Sequence, residues 1–144
     1  MWVRAEGVEA GTEAACFGRE RRGKVAMSLI YIAGPYTAAT EKTVKANVRR
    51  AEEFGQQVLA IGLIPVIPHK ITSHWDTWGI LTNWPHDAWL DQFCLPLLSR
   101  CDGALFIPGW DESKGARKEW DFCLTKRIPK YYTVQELELA AWPV

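Results

Sequence analysis

The amino-acid sequence predicts a single α/β domain built on an open parallel sheet of four or five strands with helices on both faces. Short apolar runs that suit buried strands alternate with amphipathic helical stretches, which is the pattern of parallel strand–helix–strand units. The chain has 144 residues, of which 48% are hydrophobic and 24% charged. This is the composition of an ordinary globular domain, and the length leaves little room for a second core.

The first predicted unit runs from a buried strand through one long helix to a second strand. Leu29 to Ala33 is a continuous apolar run that ends at Gly34-Pro35, as expected of a strand buried on both faces. From about Glu41 to Ile61, apolar residues recur every three or four positions and predict a helix. Gly62 suits a left-handed helix end, and Leu63 to Ile67 forms the second strand.

The same order of elements follows in the second half of the chain. We expect a helix from about Pro85 to Arg100 that Pro96 bends or interrupts. The remaining predicted elements are a third strand, a helix, a fourth strand and a terminal helix, over Gly103 to Ile107, Ala116 to about Lys126, Lys130 to Thr133 and Gln135 to Ala141.

The charge balance argues against partners that need a large positive field. Seventeen Lys and Arg offset seventeen Asp and Glu, so we expect neither a nucleic-acid polymer nor a membrane as a partner. Residues 1 to 26 show no secretory signal and no regular period, which predicts a disordered extension ahead of a domain over residues 27–144 that starts naturally at Met27. No run approaches the roughly 18 apolar residues of a membrane span. We therefore expect a cytoplasmic protein.

The cysteines predict neither a metal site nor a redox pair. Cys16, Cys94, Cys101 and Cys123 are widely spaced and form no C-x-x-C pair. In a cytoplasmic protein we expect four reduced thiols, the last three of which act as small buried hydrophobes.

The loop after the third strand carries the strongest chemical pattern, and ligands of open parallel sheets bind where such loops lie. Ser113 and Gly115 precede a helix whose first N–H groups can hold a phosphate. Glu119 follows about one turn later, where a carboxylate can attack a sugar carbon and form a covalent intermediate. On spacing alone, a helix cap and a surface glutamate are the commoner explanation.

Four segments together resemble the nucleoside 2-deoxyribosyltransferase superfamily, and most of all its small deoxyribosyltransferase-like branch of the DUF4406 type. They read IYIAGPY from Ile30, PVIPH from Pro65, CDGAL from Cys101 and GWDESKGARKE from Gly109. The resemblance covers about residues 29 to 133. It implies a flavodoxin-like or Rossmann-like sheet, and cleavage or transfer at the N-glycosidic bond of a nucleoside, a deoxynucleoside or a 5'-monophosphate of either. It also implies a homodimer or a larger homo-oligomer, and the chemistry requires no cofactor.

The resemblance assigns roles to individual residues. Glu119 corresponds to the family's nucleophile, and Ser113 to a serine near the 5' end of the nucleoside. Tyr36 corresponds to an aromatic residue beside the sugar or base, and its hydroxyl is expected to orient the nucleophile. The other expected substrate-binding residues lie at the ends of the predicted strands and in the loops that follow, namely Gly34, Pro35, His69, Trp75, Trp110 and Gly115.

One position departs from the family pattern. Members usually carry an Asp about eight residues before the Asp that leads the third strand, here Asp102, but this sequence has Cys94 there. Asp91 lies three residues earlier on roughly the same helical face and is the candidate general acid. If Asp91 does not substitute, the loss of a positioned acid weakens catalysis by about 10²- to 10⁴-fold. Cys94 therefore favours the alternative function, a non-catalytic protein that binds or senses a nucleotide on the same fold.

The other polar groups have simpler explanations. The histidines and aspartates near the second strand have no recognised ligand spacing, so we predict no metal site from His69, His74, Asp76, His86 and Asp87. We expect Asp102 to bond backbone in a neighbouring loop, and Arg49 and Arg50 to lie on a solvated surface. A phosphoribosyl-type hydrolase would place an Arg such as Arg117 beside the glutamate, but it would also need a glycine-rich phosphate loop, which the sequence lacks.

Tryptophan is the one outlier in composition, with eight residues in the chain. Five of them should crowd the carboxyl end of the sheet: Trp75, Trp78, Trp84, Trp89 and Trp110. An aromatic wall there would stack a purine or pyrimidine base. Packing at a homo-oligomer interface, where Trp is also enriched, explains the cluster equally well.

Overall fold

A computed structural model describes residues 28–36, 38–72 and 86–143. The expected N-terminal extension over residues 1–26 lies outside these ranges, as do Cys16, Trp75, Trp78 and Trp84. Across the described part, four strands form one sheet in the order β2-β1-β3-β4, and every neighbouring pair is parallel. The strands are β1 (Leu29–Ala33), β2 (Ile64–Val66), β3 (Gly103–Phe106) and β4 (Lys130–Tyr131). The predicted open parallel α/β sheet is confirmed, and β2, β3 and β4 are shorter than expected.

Helices connect the strands and cover the sheet. They are α1 (Glu41–Ala60), α2 (Pro68–Ile71), α3 (His86–Trp89), α4 (Leu95–Leu98), α5 (Lys114–Lys126) and α6 (Val134–Ala141). The Thr40 hydroxyl caps α1 by accepting from the N–H of Thr43, and Gly62 follows the helix with a φ of 88°. The predicted left-handed turn is therefore confirmed. The sequence reading missed α2, which is a single turn started by Pro68 in a stretch expected to be loop.

A π-helical turn over Leu90–Cys94 joins α3 to α4. The N–H of Leu95 bonds to the carbonyl of Leu90, five residues earlier, instead of the four of an α-helix. In an α-helix the ring of Pro96 would clash with the carbonyl of Gln92, and the wider turn just before Pro96 accommodates it. The prediction that Pro96 interrupts this helix is thus confirmed as a π turn.

Two apolar clusters lie on opposite faces of the sheet because alternate strand residues point to opposite sides. Tyr31 and Ala33 of β1 pack with the helical stretch from Leu90 to Leu98 and with α5. Ile30 and Ile32 pack with α1 and α6. The helices therefore cover both faces, as the sequence predicts.

Asp102 joins the starts of β1 and β3. Its Oδ2 accepts from the backbone N–H groups of Ser28 and Leu29, each at 2.8 Å. The carboxylate therefore fixes the two central strands side by side at the edge away from their carboxyl ends. The expected structural role of Asp102 is confirmed.

The described thiols and helices agree with two further expectations. Cys94, Cys101 and Cys123 are buried and unpaired, as predicted. Among the described helices, none combines the length and the apolar character that crossing a bilayer requires.

Candidate active site

A cavity of about 610 Å³ opens at the carboxyl end of the sheet. From β1 the chain crosses to β2 on one side, and β3 lies on the other side of β1. The loops after β1 and β3 therefore diverge, and such a switch point is where open parallel sheets bind ligands. The lining residues come from these loops and the neighbouring helices: Gly34, Pro35, Tyr36, Arg50, His69, Trp89, Leu90, Gly109, Glu112, Ser113, Lys114, Gly115, Ala116 and Glu119.

Two glycines let the two loops approach each other closely. A Cβ at Gly34 would overlap the side chain of Ile107, with Cδ1 only 2.8 Å away. Gly109 has a φ of 94°, a left-handed conformation that glycine adopts without strain. A Cβ at Gly109 would also stand 3.1 Å from Cγ of Pro35. The Gly34-Pro35 turn and the β3 loop are therefore packed against each other without intervening side chains.

Glu119 lies at the floor of the cavity, on the buried face of α5. Ala116, Glu119 and Cys123 share that face, and the Glu119 side chain is only 4% exposed. The hydroxyl of Tyr31 on β1 donates a hydrogen bond to Oε2 of Glu119. Burial raises the pKa of Glu119 to about 8, and the Tyr31 hydrogen bond opposes that rise. At pH 7 the carboxyl is therefore mostly protonated, with an ionised minority that Tyr31 stabilises.

Tyr31 is a residue of this site that the sequence analysis missed. We expected the hydroxyl that orients Glu119 to belong to Tyr36, whereas the structure shows a hydrogen bond to Glu119 from Tyr31, which lies within the apolar run of β1. Burial and the neighbouring Glu119 raise the Tyr31 pKa well above its usual value, so the hydroxyl keeps its proton. Tyr31 and Cys94 of the π turn lie in the same buried apolar cluster.

The N-terminus of α5 supplies polar groups at the cavity. The Ser113 hydroxyl caps the helix by accepting from the N–H of Ala116 at 3.3 Å. This cap explains why α5 begins at Lys114, two residues earlier than predicted. The N–H groups of Lys114 and Gly115 occupy the first two helical positions, where an α-helix offers no internal acceptor. They are available to an anion in the cavity.

Arg50 of α1 also lines the cavity, although we expected it on a solvated surface. Its guanidinium donates to the carbonyl of Pro108 at 2.7 Å, which ties it to the loop after β3. With Lys114, it places two cations around a cavity that also contains Glu112. The lining thus carries two basic side chains, Arg50 and Lys114, and two acidic ones, Glu112 and Glu119.

His69 lies in the single helical turn α2 that follows β2, and it lines the cavity. Its Nε2 lies 3.1 Å from the carbonyl of Gly34, and since a carbonyl only accepts, Nε2 carries the proton. Nδ1 is buried and has no hydrogen-bond partner among the described residues. Burial lowers the His69 pKa to about 4, so the ring is neutral at pH 7. His69 therefore fixes the β1 loop as a neutral donor.

Aromatic rings complete the wall beside His69. The ring of Tyr36 meets His69 edge-on, with centroids 5.1 Å apart, and stacks on Trp89 at 5.3 Å. Trp89 also donates from Nε1 to the Thr72 hydroxyl at 3.2 Å. An aromatic surface thus lines the cavity together with the polar N-terminus of α5.

With this geometry in place, the sequence can be compared with known proteins. The family model of the domain of unknown function DUF1937 matches residues 28–133, well over half of the chain. The chain belongs to the DUF1937 family. The description of that family states no activity. A comparison with curated proteins gave no significant match.

Most of the expected site residues meet in the DUF1937 domain, two described ones do not, and one lies outside the described residues. Gly34, Pro35, Tyr36 and His69 line the cavity together with Ser113, Gly115 and Glu119. Trp110 is not a lining residue; it stacks on Trp120 with centroids 6.1 Å apart and packs edge-on against Phe106. Asp91 is exposed on the π turn and is not a lining residue either. Trp75 lies outside the described residues.

The π turn explains the position of Asp91 in this DUF1937 domain. A π turn adds one residue to a helical turn, so it rotates the preceding residues relative to a regular α-helix. Leu90 is buried and lines the cavity, whereas Asp91 next to it faces outward. The regular helical spacing that placed Asp91 and Cys94 on the same face does not hold across this turn.

No metal site is evident in the described part of the DUF1937 domain. Within residues 28–36, 38–72 and 86–143, no three metal-ligating side chains cluster. Of the groups considered from the sequence as a metal site, His74 and Asp76 lie outside these ranges. The buried His69 uses Nε2 to bond the backbone of the β1 loop.

Proposed function

We propose that this protein cleaves or transfers at the N-glycosidic bond of a (deoxy)nucleoside or its 5'-monophosphate, with Glu119 as the nucleophile. The observation that carries the proposal is the placement of Glu119, a buried carboxyl at the floor of a cavity at the sheet's switch point. The cavity volume of about 610 Å³ lies within the range of small-molecule sites. The resemblance of the Gly109–Glu119 segment to the deoxyribosyltransferase superfamily supports the same chemistry.

The proposed reaction has two steps. In the first, a Glu119 carboxylate oxygen bonds to the anomeric carbon while the carbon–nitrogen bond breaks and its electron pair leaves with the base. In the second, water or a second base attacks the anomeric carbon and releases Glu119. Tyr31 holds Oε2 in the first step and stabilises the carboxylate again when the second step frees it.

The departing base requires a proton from a group near the cavity. Glu112 is, apart from Glu119, the carboxyl side chain among the described lining residues, so we assign it as the first candidate donor. Asp91, the donor expected from the sequence, is the second candidate, because it is exposed like Glu112 but does not line the cavity. Separate Glu112→Gln and Asp91→Asn variants distinguish them. The donor's variant loses about 10²- to 10⁴-fold in base release, and the other stays near the parent value.

The polar end of the cavity fits a 5'-phosphate. The N–H groups of Lys114 and Gly115 and the guanidinium of Arg50 lie on that side, and the Tyr36–Trp89 stack offers a base an aromatic surface. We therefore propose that a 5'-monophosphate binds more tightly than the free nucleoside. We also propose a cytoplasmic protein, which the three unpaired buried thiols support, and a homo-oligomer, which sedimentation of the full chain tests.

One observation favours a second candidate function, a protein that binds the nucleotide without turning it over. Burial keeps most of the Glu119 carboxyl protonated at pH 7, and Asp91 is outside the cavity lining. A protonated carboxyl donates a hydrogen bond to a ligand and does not attack it.

A base-release assay separates the two functions. The full chain is incubated at pH 7 and pH 9 with each deoxynucleoside, each ribonucleoside and their 5'-monophosphates, and free base is measured by chromatography. Release that is lost in Glu119→Gln and retained in Glu138→Gln, an exposed glutamate on α6, supports the enzyme. Intact-mass detection of a sugar on Glu119 supports the covalent step. Calorimetric binding of a monophosphate with no release at either pH overturns the proposed activity in favour of the binding protein.

A further inference from the structure

Helix α1 bonds to both of the loops that diverge at the switch point of the sheet. Its Asn47 donates from Nδ2 to the carbonyl of Tyr36 at 3.1 Å, on the loop after β1. Its Arg50 donates from Nη2 to the carbonyl of Pro108 at 2.7 Å, on the loop after β3. Because residues three apart lie on the same side of a helix, one face of α1 holds the two loops at a fixed separation.

The helix that makes these bonds is itself fixed on the sheet. Val48, Ala51 and Val58 of α1 are buried. A Cβ at Gly55 would overlap Cδ1 of Ile67, so the helix lies close against the chain that leaves β2. Since α1 cannot move without losing these contacts, its two hydrogen bonds determine where the loops stand.

Asn47 acts on the cavity through Tyr36. Asparagine is a poorer helix former than alanine, because its side chain competes for backbone groups. Here the amide bonds a carbonyl outside the helix, that of Tyr36. Tyr36 lines the cavity and stacks on Trp89 with centroids 5.3 Å apart, whereas Asn47 is not a lining residue. The contact therefore places the aromatic surface that Tyr36 and Trp89 form.

Arg50 is held in place without losing its charge. Its partner is a backbone carbonyl, and within the described residues it forms no ion pair. A guanidinium has five N–H donors, so the bond to Pro108 leaves others for a ligand in the cavity that Arg50 lines. A phosphate is a partner that suits such a guanidinium, because charge-assisted hydrogen bonds are the stronger ones.

We propose that Asn47 and Arg50 together set the ligand specificity of this site. Asn47 positions the aromatic surface for the base through Tyr36, and Arg50 binds the phosphate of a nucleoside monophosphate. The identity of the ligand rests on the proposed function. Because one helix carries both residues, the aromatic surface and the guanidinium are spaced before a ligand binds, and a preorganised site binds more tightly.

The test compares ligands that contain one half of a nucleotide with ligands that contain both. Binding is measured by calorimetry in the full chain with Glu119→Gln, so that no probe is consumed. The probes are the 2'-deoxynucleosides, their 5'-monophosphates and 2-deoxyribose 5-phosphate. Asn47→Ala and Arg50→Met are each added to this protein. Arg49→Met is the control, because Arg49 is an exposed neighbour on α1 that is not a lining residue.

The two variants should weaken different probes. Asn47→Ala should weaken nucleosides and monophosphates by about 3- to 10-fold, the size of one ordinary hydrogen bond, and leave 2-deoxyribose 5-phosphate unchanged. Arg50→Met should weaken monophosphates and 2-deoxyribose 5-phosphate by about 10- to 100-fold, and leave nucleosides unchanged. Arg49→Met should leave every affinity near the parent value.

Several results would overturn the inference. A loss in Asn47→Ala that is equal for every probe indicates general damage and removes its positioning role. Binding of 2-deoxyribose 5-phosphate that survives Arg50→Met, or that falls equally in Arg49→Met, removes the role of Arg50. Asn47→Ala is expected to fold, since alanine favours the helix and His69 still bonds the carbonyl of Gly34. If it does not fold, Asn47→Leu, which also lacks the donor, must give the same pattern.

The same variants with Glu119 restored separate this inference from the proposed function. In the proposed reaction, Asn47→Ala should raise KM more than it lowers kcat, because it acts on the aromatic surface and not on Glu119. The two expected patterns of affinity without base release from any nucleotide support the inference and overturn the proposed activity. Base release whose KM is unchanged in Asn47→Ala and in Arg50→Met supports the activity and overturns the inference. A parent protein that binds none of the probes overturns both.

Discussion

Removing one hydroxyl, in Tyr31→Phe, should move the pH at which Glu119 ionises. The Tyr31 hydrogen bond opposes the effect of burial on Glu119. Hydrogen bonds to charged groups contribute about 1.5–3 kcal/mol, and one pKa unit corresponds to about 1.4 kcal/mol. The Glu119 pKa of about 8 should therefore rise by about 1 to 2.

The sign of the effect on activity follows from the proposed mechanism. Glu119 must be ionised to attack, so the activity rises with pH through the Glu119 pKa. Moving that pKa upward lowers the ionised fraction at pH 7 by about 10- to 100-fold, and the rate falls by the same factor. At a pH above the new midpoint the variant should approach the parent rate.

The assay is a kcat–pH profile between pH 6 and 10.5, alongside an infrared titration of the Glu119 carboxyl band. Tyr132→Phe is the matched control, because its hydroxyl accepts from Trp120 of the same helix α5 at 2.9 Å but lies outside the cavity lining. An unshifted midpoint in Tyr31→Phe would refute the reasoning. So would a loss of rate that is the same at every pH, since that would indicate misplacement of Glu119 instead of a change in its ionisation.

Three further predictions concern stability, each measured by urea unfolding. Folded Glu119 keeps its proton up to about pH 8, whereas the unfolded chain loses it near 4.5; the free energy of unfolding should therefore fall between these values by up to roughly 5 kcal/mol. In Glu119→Gln the free energy of unfolding should change much less over this pH range. An unchanged pH dependence would contradict the conclusion that burial raises the Glu119 pKa. Gly34→Ala should destabilise the fold by about 1–3 kcal/mol through overlap with Ile107. Gly34→Ala should destabilise the Ile107→Ala variant less than it destabilises the parent protein, because the overlapping side chain is then shorter. If the losses of unfolding free energy in the two single variants simply add in the double variant, overlap with Ile107 is not the cause. Asp102→Ala should lower the free energy of unfolding by about 2–4 kcal/mol, because two backbone N–H groups lose their acceptor. It should not move the pH midpoint of Glu119 ionisation. A loss below about 1 kcal/mol would show that water replaces the carboxylate.

The elements and most of the cavity residues were predictable because they depend on local patterns. The helix from Glu41 and the strand from Leu29 begin where the periodicity begins. Gly34, Ser113 and Glu119 meet because the carboxyl ends of parallel strands share one edge, a property of the topology that needs no side-chain detail.

The residues that were missed depend on contacts between distant elements. Tyr31 sits in an apolar run, and only the packing of α5 against β1 shows that its hydroxyl reaches Glu119. Arg50 reaches the cavity because the Pro108 carbonyl holds its guanidinium. Asp91 was expected to share a helical face with Cys94, but the π turn breaks the regular spacing on which that expectation was built.

The same π turn also affects which carboxyl group can serve as an acid for the leaving base. With Asp91 turned outward and Cys94 turned inward, the helix that was expected to protonate the leaving base buries a thiol and exposes its carboxyl group. In the proposed reaction, the lining carboxyl that can give the base its proton is then Glu112, on the loop after β3. Loss of Asp91 should accordingly affect base release far less than loss of Glu112.

Burial of Glu119 disfavours its charge, yet burial also makes that charge more effective in the proposed reaction. The transition state of glycosidic cleavage carries positive charge on the sugar, and a carboxylate in a poorly polarisable environment attracts such a charge far more strongly than one in water. The same environment raises the pKa of Glu119 to about 8, so only a fraction of the molecules is ready to react at pH 7. A neighbour that stabilised the carboxylate strongly, such as a salt-bridged arginine, would restore the ionised fraction but would also weaken the attraction to the sugar. Tyr31 is neutral, and it favours ionisation through its hydrogen bond without cancelling the charge. The apolar surroundings therefore strengthen the attraction of the Glu119 carboxylate to the sugar, while the uncharged Tyr31 offsets part of their effect on the Glu119 pKa.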